Sequence, residues 1–422
     1  MEARGIRRRL GGALFAAAAL LSTSALAQEP VKLNFWDMIW GPPEYIDAAK
    51  GLVDKFNSEH PNIQVEYRSV PWSNWYQTFV TAIGSGTAPD LSTGAGYQAV
   101  QLYDLGAIRP IDDVIEEMKA AGELDDFLPR TVDTLRYDDH YVALPWGIDI
   151  RVWYYRKDLL EAAGQKVPTT WDELRAAAKA TTKDGKYGML SSGDTGGSHY
   201  IYNAILNNGG GLFTKDGKLD LRNERNVEAI GLLAGMTADG SVSPASTGYS
   251  SDDRRAAFNR GEGAFVLDGP GLIDQAGDAK DKIGIVPPLA GPHGDKATIF
   301  WVNNIMVYQQ TEHPEETKTF LKWWSKNQLP LWTQGNSGQL PTRKSIASDA
   351  YFTQNPNRSY VIENYIPTGK TTATSADGIF PALNEVEGEG VMQTMAQELW
   401  QGKDLQAVLD AAEPRLKAIV KE

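Results

Sequence analysis

The spacing of apolar residues near the start of the chain predicts strands and helices in alternation. Apolar residues occupy every second position in 31–35 and again in 63–67, which is the period of a half-buried strand. In 45–56 and 75–83 they recur three and four positions apart, which is the period of an amphipathic helix. Strand, helix, strand and helix of these lengths predict an α/β fold with a largely parallel sheet.

The same alternation resumes in the middle and at the end of the chain. Strands are predicted for 150–156, 264–268 and 299–308, and helices for 171–180 and 405–420. Since no segment of 20–50 residues is repeated, the pattern does not indicate a repeat architecture.

The first 27 residues have the organisation of a secretory signal. Four arginines precede the apolar stretch 10–21, and 25–27 (ALA) supplies a cleavage site of small residues. We therefore expect an exported, periplasmic protein that is cleaved near Ala27/Gln28. The remaining 395 residues of the 422 exceed what one hydrophobic core usually organises, so two lobes are expected.

Composition narrows the class of ligand. The formal net charge is −13, and removal of the basic signal segment makes it more negative, which disfavours nucleic acid and anionic membranes as partners. Cysteine is absent, so the mature chain must be held together by its core. Twelve Trp and 17 Tyr, several in predicted loops beside carboxylates, suit a polar ligand with apolar faces, such as a sugar ring.

Sequence motifs of the common enzyme classes are absent. The chain contains no G-x-S-x-G, phosphate loop, dinucleotide fingerprint or H-E-x-x-H, and its five histidines lack the spacing of metal ligands. We therefore expect no catalytic activity, cofactor or metal. One enzymatic alternative stays open, because glycoside hydrolysis needs only two carboxylates, and Asp149 could pair with Glu44 or Asp268.

Several motifs follow one another in an order that is typical of a known family. They are 84–91 (GSGTAPDL), 106–112 (GAIRPID), 141–149 (YVALPWGID), 154–160 (YYRKDLL), 168–174 (PTTWDEL), 208–210 (NGG), 256–265 (AAFNRGEGAF) and 340–345 (LPTRKS). In this order the chain resembles the family-1 extracellular solute-binding proteins. That family includes the maltose- and trehalose-binding components of bacterial ABC importers.

The resemblance implies the two-lobed α/β fold of type II periplasmic binding proteins, with lobes joined by hinge strands. We expect lobe one to comprise 28–146 plus 298–343, and lobe two to comprise 147–297 plus 344–422. It further implies that a ligand binds in the cleft, that the lobes close around it, and that a membrane permease recognises the closed form.

The resemblance also points to individual ligand contacts. Asp149 ends the LPWGID motif, where the family places an acid on sugar hydroxyls, and Arg151 follows on the same predicted strand. Arg343, in LPTRKS, matches an arginine that contacts ligand in relatives. Trp301 and Asn303 lie near the position where relatives often have Gly-Gly-Trp, and an indole face suits the C–H side of a pyranose.

Further candidates lie in predicted loops at the carboxyl edges of strands, where such sheets present ligands. In the first lobe these are Trp36, Trp40, Glu44, Trp72, Ser73, Tyr97 and Gln98. In the second lobe they are Gly193, Thr195, Tyr249 and Asp268. In many relatives an acid stands near Tyr97, and 94–96 (GAG) precedes it here, so the resemblance does not carry over a particular disaccharide.

The sequence therefore predicts a monomeric periplasmic protein that captures a mono- or disaccharide, a glycoside or a related polyol. It would deliver this ligand to the permease of an ABC transporter. A chemotaxis receptor would share the same binding chemistry and stays open. An acidic or sulfonated sugar also stays open, because Arg151 and Arg343 are both candidates.

Overall fold

The computed structural model describes Met1, residues 29–373 and residues 378–421. The predicted cleavage site near Ala27/Gln28 lies outside the described residues. None of the helices in the described ranges combines the length and hydropathy that crossing a bilayer requires.

The described residues contain short strands distributed along most of the chain. They are β1 (Val31–Met38), β2 (Ile63–Val70), β3 (Leu91–Gly94), β4 (Arg136–Tyr137), β5 (His140–Tyr141), β6 (Leu144–Ile150), β7 (Val152–Arg156), β8 (Tyr187–Met189), β9 (Gly263–Asp268), β10 (Ile283–Ile285), β11 (Thr298–Val307), β12 (Leu340–Pro341) and β13 (Gly369–Lys370).

Helices connect most of these strands and form the C-terminal part of the chain. They are α1 (Pro43–Glu59), α2 (Trp75–Gly84), α3 (Gln98–Asp104), α4 (Asp112–Ala120), α5 (Lys157–Ala162), α6 (Trp171–Thr181), α7 (Thr195–Asn207), α8 (Glu224–Ala238), α9 (Ser251–Arg260), α10 (Pro314–Asn327), α11 (Pro330–Thr333), α12 (Lys344–Ala347), α13 (Ala350–Thr353), α14 (Pro356–Asn364), α15 (Ala382–Gly388), α16 (Val391–Trp400) and α17 (Leu405–Val420).

The first sheet has the order β12-β6-β11-β3-β1-β2, and β13 also pairs with β11. β1 is parallel to β2 and β3, but β11 is antiparallel to both β3 and β6. The prediction of a largely parallel sheet is wrong here. β11 comes from a distant part of the chain and pairs between β3 and β6.

The second sheet has the order β10-β7-β9-β8, with β7 antiparallel to both neighbours and β8 parallel to β9. The segment 150–156, predicted as one strand, is divided between the two sheets. β6 ends at Ile150 in the first sheet and β7 begins at Val152 in the second. Arg151 therefore lies at the point where the chain crosses between them.

The described residues form three hydrophobic cores, of which one accompanies each sheet and the third includes Ile150 and Val152, where the chain crosses between the sheets. In the first, Phe35, Phe56 and Trp324 are fully buried between the first sheet and the helices α1 and α10. In the second, Tyr200 and Leu399 are fully buried between the second sheet and the helices α7 and α16. We call these units the first and second lobes, and the predicted two-lobed α/β fold is confirmed.

The cores also indicate where the chain passes between the lobes. Along β11, Ile299 packs in the second core and Ile305 in the first. After β12, Ile346 and Phe352 still pack in the first core, although they follow the expected boundary at residue 343. We therefore propose that the last crossing lies after Phe352.

The predicted helices 171–180 and 405–420 correspond to α6 and α17, and each begins at a capping side chain. Thr170 accepts the backbone N–H of Glu173, and Asp404 accepts the backbone N–H groups of Gln406 and Ala407. Such caps satisfy donors that the first turn leaves unpaired.

We predict that Trp324→Ala destabilises the first lobe by about 3–5 kcal/mol, because it leaves a cavity beneath the sheet. The centroid of Trp324 lies 4.8 Å from that of Phe35 and 5.6 Å from that of Phe320. Urea unfolding followed by circular dichroism measures the loss. The neighbouring Trp323 is only half-buried, so Trp323→Ala should cost less than half as much, and equal losses would contradict this packing.

Candidate functional site

The candidate site lies at the edge of the first sheet where four parallel strands end. β1, β2, β3 and β6 run in the same direction, so the loops that follow them meet at one edge. The second lobe reaches the same edge. A Cβ atom on Gly271 would lie 2.8 Å from the Cα atom of Gly338, so two glycines permit the lobes to approach this closely.

Trp72, in the loop after β2, is an exposed indole that is nevertheless held in place. It is 40% exposed, and its Nε1–H donates to the carbonyl oxygen of Ile39 at 2.7 Å. Its centroid lies 4.9 Å from that of Trp40 in an edge-to-face contact, and 6.2 Å from that of Trp75. A fixed aromatic face open to solvent is already organised for stacking against a ligand.

Trp40 is buried behind Trp72 and supports it. Its Nε1–H donates to Thr93 Oγ1 at 3.1 Å, and its ring contacts the buried Trp146 at 4.9 Å between centroids. Because Trp40 is only 3% exposed, it offers little face of its own. As a ligand contact Trp40 therefore stays a prediction, and the indole face that is open to solvent is that of Trp72.

A buried carboxyl group, Asp37, lies at the end of β1 beneath Trp40. Its Oδ1 accepts the hydroxyl of Thr93 at 2.7 Å, and its Oδ2 accepts those of Tyr45 and Tyr67 at 3.0 and 3.2 Å. Burial raises the pKa of Asp37 to about 7, although these three hydrogen bonds oppose the shift.

The floor of the site is one face of the hinge strands β6 and β11. Asp149 pairs with Trp301 and Gly147 with Asn303, so these positions share a face. Because Gly147 has no side chain, Gln339 lies against it, and a Cβ atom on Gly147 would be 3.3 Å from the Cβ atom of Gln339. The Nδ2 atom of Asn303 donates to Gln339 Oε1 at 2.9 Å, which fixes both amides.

Asp149, Arg151 and His199 form a hydrogen-bonded chain beside this floor. Arg151 donates from Nη1 to Asp149 Oδ1 at 2.5 Å and from Nε to His199 Nδ1 at 2.9 Å. Acceptance at Nδ1 assigns the imidazole proton to Nε2. Burial, followed by the charges of Arg151 and Arg254, holds the pKa of His199 well below its ordinary value. His199 is therefore a neutral donor, and Asp149 Oδ2 is not used by Arg151.

Asp268, at the end of β9, is held by arginines of α9. Its Oδ2 accepts from Arg254 Nη2 at 2.7 Å, and its Oδ1 accepts from Arg255 Nη2 at 2.8 Å and from the backbone N–H of Gly269. Although burial opposes ionisation, the two arginines hold the pKa of Asp268 below its ordinary value. Asp268 therefore anchors its loop, and a ligand contact of Asp268 stays a prediction.

Trp301 is enclosed and hydrogen-bonded. A Cβ atom on Gly96 would lie 2.5 Å from its Cδ1 atom, and its ring centroid lies 5.0 Å from that of His199 and 4.9 Å from Arg151 Cζ. Its Nε1–H donates to Glu387 Oε1 at 2.9 Å. Although Glu387 is only partly buried as a residue, desolvation of its carboxyl group raises its pKa to about 8. Trp301 thus lies enclosed between β11, Gly96 and His199, and its stacking on a ligand stays a prediction.

The loop after β3 and the helix α3 belong to the first lobe and make contacts with the second lobe. Tyr97 is packed in the second core, and its hydroxyl accepts the backbone N–H of Thr372 at 2.9 Å. Gln101 donates to Glu385 at 3.0 Å and accepts from Asn384 at 2.6 Å, both on α15. Tyr97 therefore makes an interlobe contact, whereas the sequence predicted a ligand contact.

Arg343 is a buried structural arginine of the first lobe. Its Nη1 donates to Asp126 Oδ2 at 3.0 Å, and its Nε and Nη2 donate to Ser325 Oγ at 3.0 and 2.9 Å. The guanidinium also lies over the ring of Phe127 at 4.2 Å. These donors are used within the lobe, so a ligand contact of Arg343 stays a prediction.

Trp36 and Gln98 have structural contacts in the first lobe, and as ligand contacts they stay predictions. Trp36 is 8% exposed, with the guanidinium of Arg68 over its ring at 4.2 Å and Phe79 at 5.7 Å. Gln98 is buried and its Oε1 accepts the backbone N–H of Ala95, which shapes the loop after β3.

Gly193 and Tyr249, two further candidates of the second lobe, make contacts within that lobe. The carbonyl oxygen of Gly193 accepts from Gln393 and Gln397, so its position is fixed by α16. The hydroxyl of Tyr249 lies 3.4 Å from Glu262, which precedes β9. As ligand contacts, Gly193 and Tyr249 stay predictions.

Three predicted residues besides Trp72 are exposed. Glu44 lies in the first turn of α1, Ser73 lies beside Trp72, and Thr195 is the first residue of α7. As ligand contacts they stay predictions. Each is exposed, so it would approach the ligand from the rim of the cleft.

Sequence reasoning missed His199, Gln339, Glu387 and Asp37. His199 was not selected because the five histidines lack the spacing of metal ligands. For Asp37 a signal was present, since Leu33, Phe35 and Asp37 are alternate residues that are all fully buried.

A family model for bacterial extracellular solute-binding proteins matches residues 42–328, which is more than half of the chain. The chain belongs to this family. The family predicted from the order of motifs is thereby confirmed.

Solved structures and curated relatives of this solute-binding protein agree with the assignment. A structure described as a sugar transporter from Arthrobacter chlorophenolicus A6 with bound laminaribiose is 37% identical, with a TM-score of 0.88 over 93% of this chain and 100% of that one. A putative binding protein of Brucella abortus (strain 2308) is 28% identical over 87% of this chain and 88% of its own length. A putative ABC transporter periplasmic-binding protein of Escherichia coli (strain K12) is 24% identical over 88% and 89%.

Among residues 29–373 and 378–421, no group of three or more histidine, aspartate or glutamate side chains is arranged to hold a metal ion.

We predict that Asp37→Asn flattens the pH dependence of stability between pH 4 and pH 7. Because the folded-state pKa of Asp37 is raised from 3.8 to about 7, the folded protein binds this proton more tightly than the unfolded chain. Its stabilising contribution is complete below pH 4 and is lost as the pH rises through 7, by as much as roughly 4 kcal/mol.

Urea unfolding at pH 4, 5.5, 7 and 8 measures this difference between wild type and variant. Asp47→Asn, at an exposed position on α1, is the control and should keep the wild-type slope. A wild-type and Asp37→Asn profile that run parallel would contradict the prediction.

Proposed function

We propose that this protein is the carbohydrate receptor of a bacterial ABC importer. It would capture a mono- or disaccharide, a glycoside or a related polyol between its lobes. The observation that carries the proposal is the fixed and exposed indole of Trp72 at the same sheet edge as Asp149, whose Oδ2 atom is not used by Arg151.

The chemistry of these groups matches the two kinds of surface on a sugar. The face of Trp72 would stack on the C–H side of a pyranose ring. The free oxygen of Asp149 would accept hydrogen bonds from ring hydroxyls, and His199 Nε2–H would donate to a hydroxyl oxygen. Because both polar groups are held by Arg151, they would lose little freedom when the ligand binds.

The neighbours and the N-terminal segment support the cellular role. The Arthrobacter chlorophenolicus protein is described with bound laminaribiose, and the Escherichia coli relative is described as an ABC transporter periplasmic-binding protein. We therefore propose a periplasmic monomer, cleaved near Ala27/Gln28, whose closed form is recognised by a membrane permease. The interlobe contacts of Gln101 with α15 would be part of that closed form.

We propose that the protein is a receptor and not a glycosidase. Of the carboxylates that could pair with Asp149, Asp268 is held ionised by two arginines and cannot serve as a proton donor. Glu44 is exposed, and Glu387 accepts a hydrogen bond from the enclosed Trp301. A ligand recovered unchanged after long incubation, by mass spectrometry, would support this view, and any cleaved product would contradict it.

We predict that at least one saccharide raises the melting temperature of the mature protein by several degrees at 100 times its dissociation constant. A panel of laminaribiose, maltose, ribitol and glucuronic acid includes a neutral disaccharide, a polyol and an acidic sugar. If none of these carbohydrates shifts melting while a peptide or a polyamine does, the sugar assignment is wrong.

We predict that Trp72→Ala and Asp149→Asn each weaken binding of that saccharide by roughly 10- to 100-fold. The first removes the stacking face, and the second removes the charge from the hydrogen-bond acceptor. Isothermal titration calorimetry measures both losses. Trp323→Ala and Asp216→Asn, at positions away from the sheet edge, are the matched controls and should bind as wild type.

A further inference from the structure

The buried polar groups beneath Trp40 connect directly to the exposed indole of the site. Asp37 is fully buried on the same strand face as Leu33 and Phe35, where an apolar residue would satisfy the core. Three hydroxyl groups converge on its carboxyl group, those of Thr93, Tyr45 and Tyr67. Because both oxygen atoms of this buried carboxyl group accept hydrogen bonds, the orientation of the group is fixed.

The hydroxyl of Thr93 has no remaining hydrogen-bonding capacity. It has one proton, which it donates to Asp37 Oδ1 at 2.7 Å. Its two lone pairs accept the backbone N–H of Met38 at 2.9 Å and the indole N–H of Trp40 at 3.1 Å. Because Asp37 takes the proton, the lone pairs must point toward Met38 and Trp40.

Trp40, whose indole N–H is held by Thr93, packs directly against Trp72. The two indoles meet edge to face at 83°, with centroids 4.9 Å apart. Trp72 also donates to the carbonyl oxygen of Ile39, the residue between Met38 and Trp40. Thr93 thus accepts hydrogen bonds from Met38 and Trp40, which flank Ile39. Ile39 in turn accepts the indole N–H of Trp72.

We infer that Asp37 and Thr93 are positioning residues for ligand binding, which fix Trp40 and through it the orientation of the exposed face of Trp72. Neither residue touches the ligand. The inference rests on the proposed function, because it assigns these residues to the stacking face that a sugar would use.

Thr93→Val tests the inference, because it keeps the shape of the side chain and removes the hydroxyl. Thr93→Ser restores the hydroxyl. Ser92→Ala is the matched control, since Ser92 is the preceding buried residue of β3 and its hydroxyl bonds to Tyr308 Oη at 3.0 Å, away from Trp40.

The first measurement needs no ligand. In ¹⁵N-labelled full-length mature protein, the indole N–H resonances of Trp40 and Trp72, assigned by substitution, should both move in Thr93→Val. They should stay near their wild-type positions in Thr93→Ser and in Ser92→Ala. If Trp72 does not move when Trp40 does, the inference is overturned.

The second measurement is the affinity for laminaribiose. Thr93→Val should weaken binding by about three- to tenfold, the range expected for a lost hydrogen bond, and Thr93→Ser should restore it. In a Trp72→Ala background, Thr93→Val should cause no further loss, because the face it orients is gone. An equal loss of affinity in both backgrounds would mean that Thr93 affects binding independently of Trp72 and would overturn the inference.

The two measurements separate this inference from the proposed function. Wild-type protein that binds none of the saccharides overturns the proposed function. Wild-type binding of laminaribiose that Thr93→Val leaves unchanged overturns the positioning role alone.

Discussion

The pairing of β6 with β11 is the constraint on which the rest of the structure depends. These two strands connect the lobes and also form the floor of the site. Their register places Asp149 opposite Trp301 and Gly147 opposite Asn303 on one face, while Ile148 and Val302 are buried on the other. A slip of one residue would exchange the two faces and bury the carboxylate of Asp149. The hydrophobic alternation of these strands therefore fixes the polar site.

Around this floor, charges are arranged so that few of them are left unpaired. Asp268 neutralises Arg254 and is bonded to Arg255, and Arg151 is shared between Asp149 and His199. Desolvation favours the neutral form of His199, as it does of Asp37 and Glu387. The site is therefore polar without a large excess of either charge. This suits a hydroxylated ligand, whose binding needs oriented donors and acceptors more than a strong field.

The alternation of strand and helix periods predicted the α/β class because these periods are local properties, and the two lobes followed from chain length and the family resemblance. Asp149 was chosen from the resemblance and Trp72 from its place after a predicted strand, and the structure places both at one sheet edge. The sequence did not predict contacts whose partners come from distant parts of the chain. Arg343 bonds to Asp126, 217 positions away, and Tyr97 to Thr372, 275 positions away. Local sequence patterns carry no signal for such contacts.

The same limit explains the residues that sequence reasoning missed. His199 is tied to Arg151, 48 positions earlier, and without that contact it resembles any surface histidine. Asp37 differs, because an acid in the register of two buried apolar residues was visible in the sequence. A polar residue at an apolar strand position is thus a useful indication of a buried network.

Small-angle X-ray scattering measures whether the lobes close on a carbohydrate at this edge. In the structure, Gln101 bonds to α15 and Gln275 donates to the carbonyl oxygen of Asn336, so both sides of the hinge are in contact. We expect protein saturated with its saccharide to give the scattering curve calculated from this structure, and free protein to have a larger radius of gyration. Identical curves with and without every saccharide that binds would contradict it.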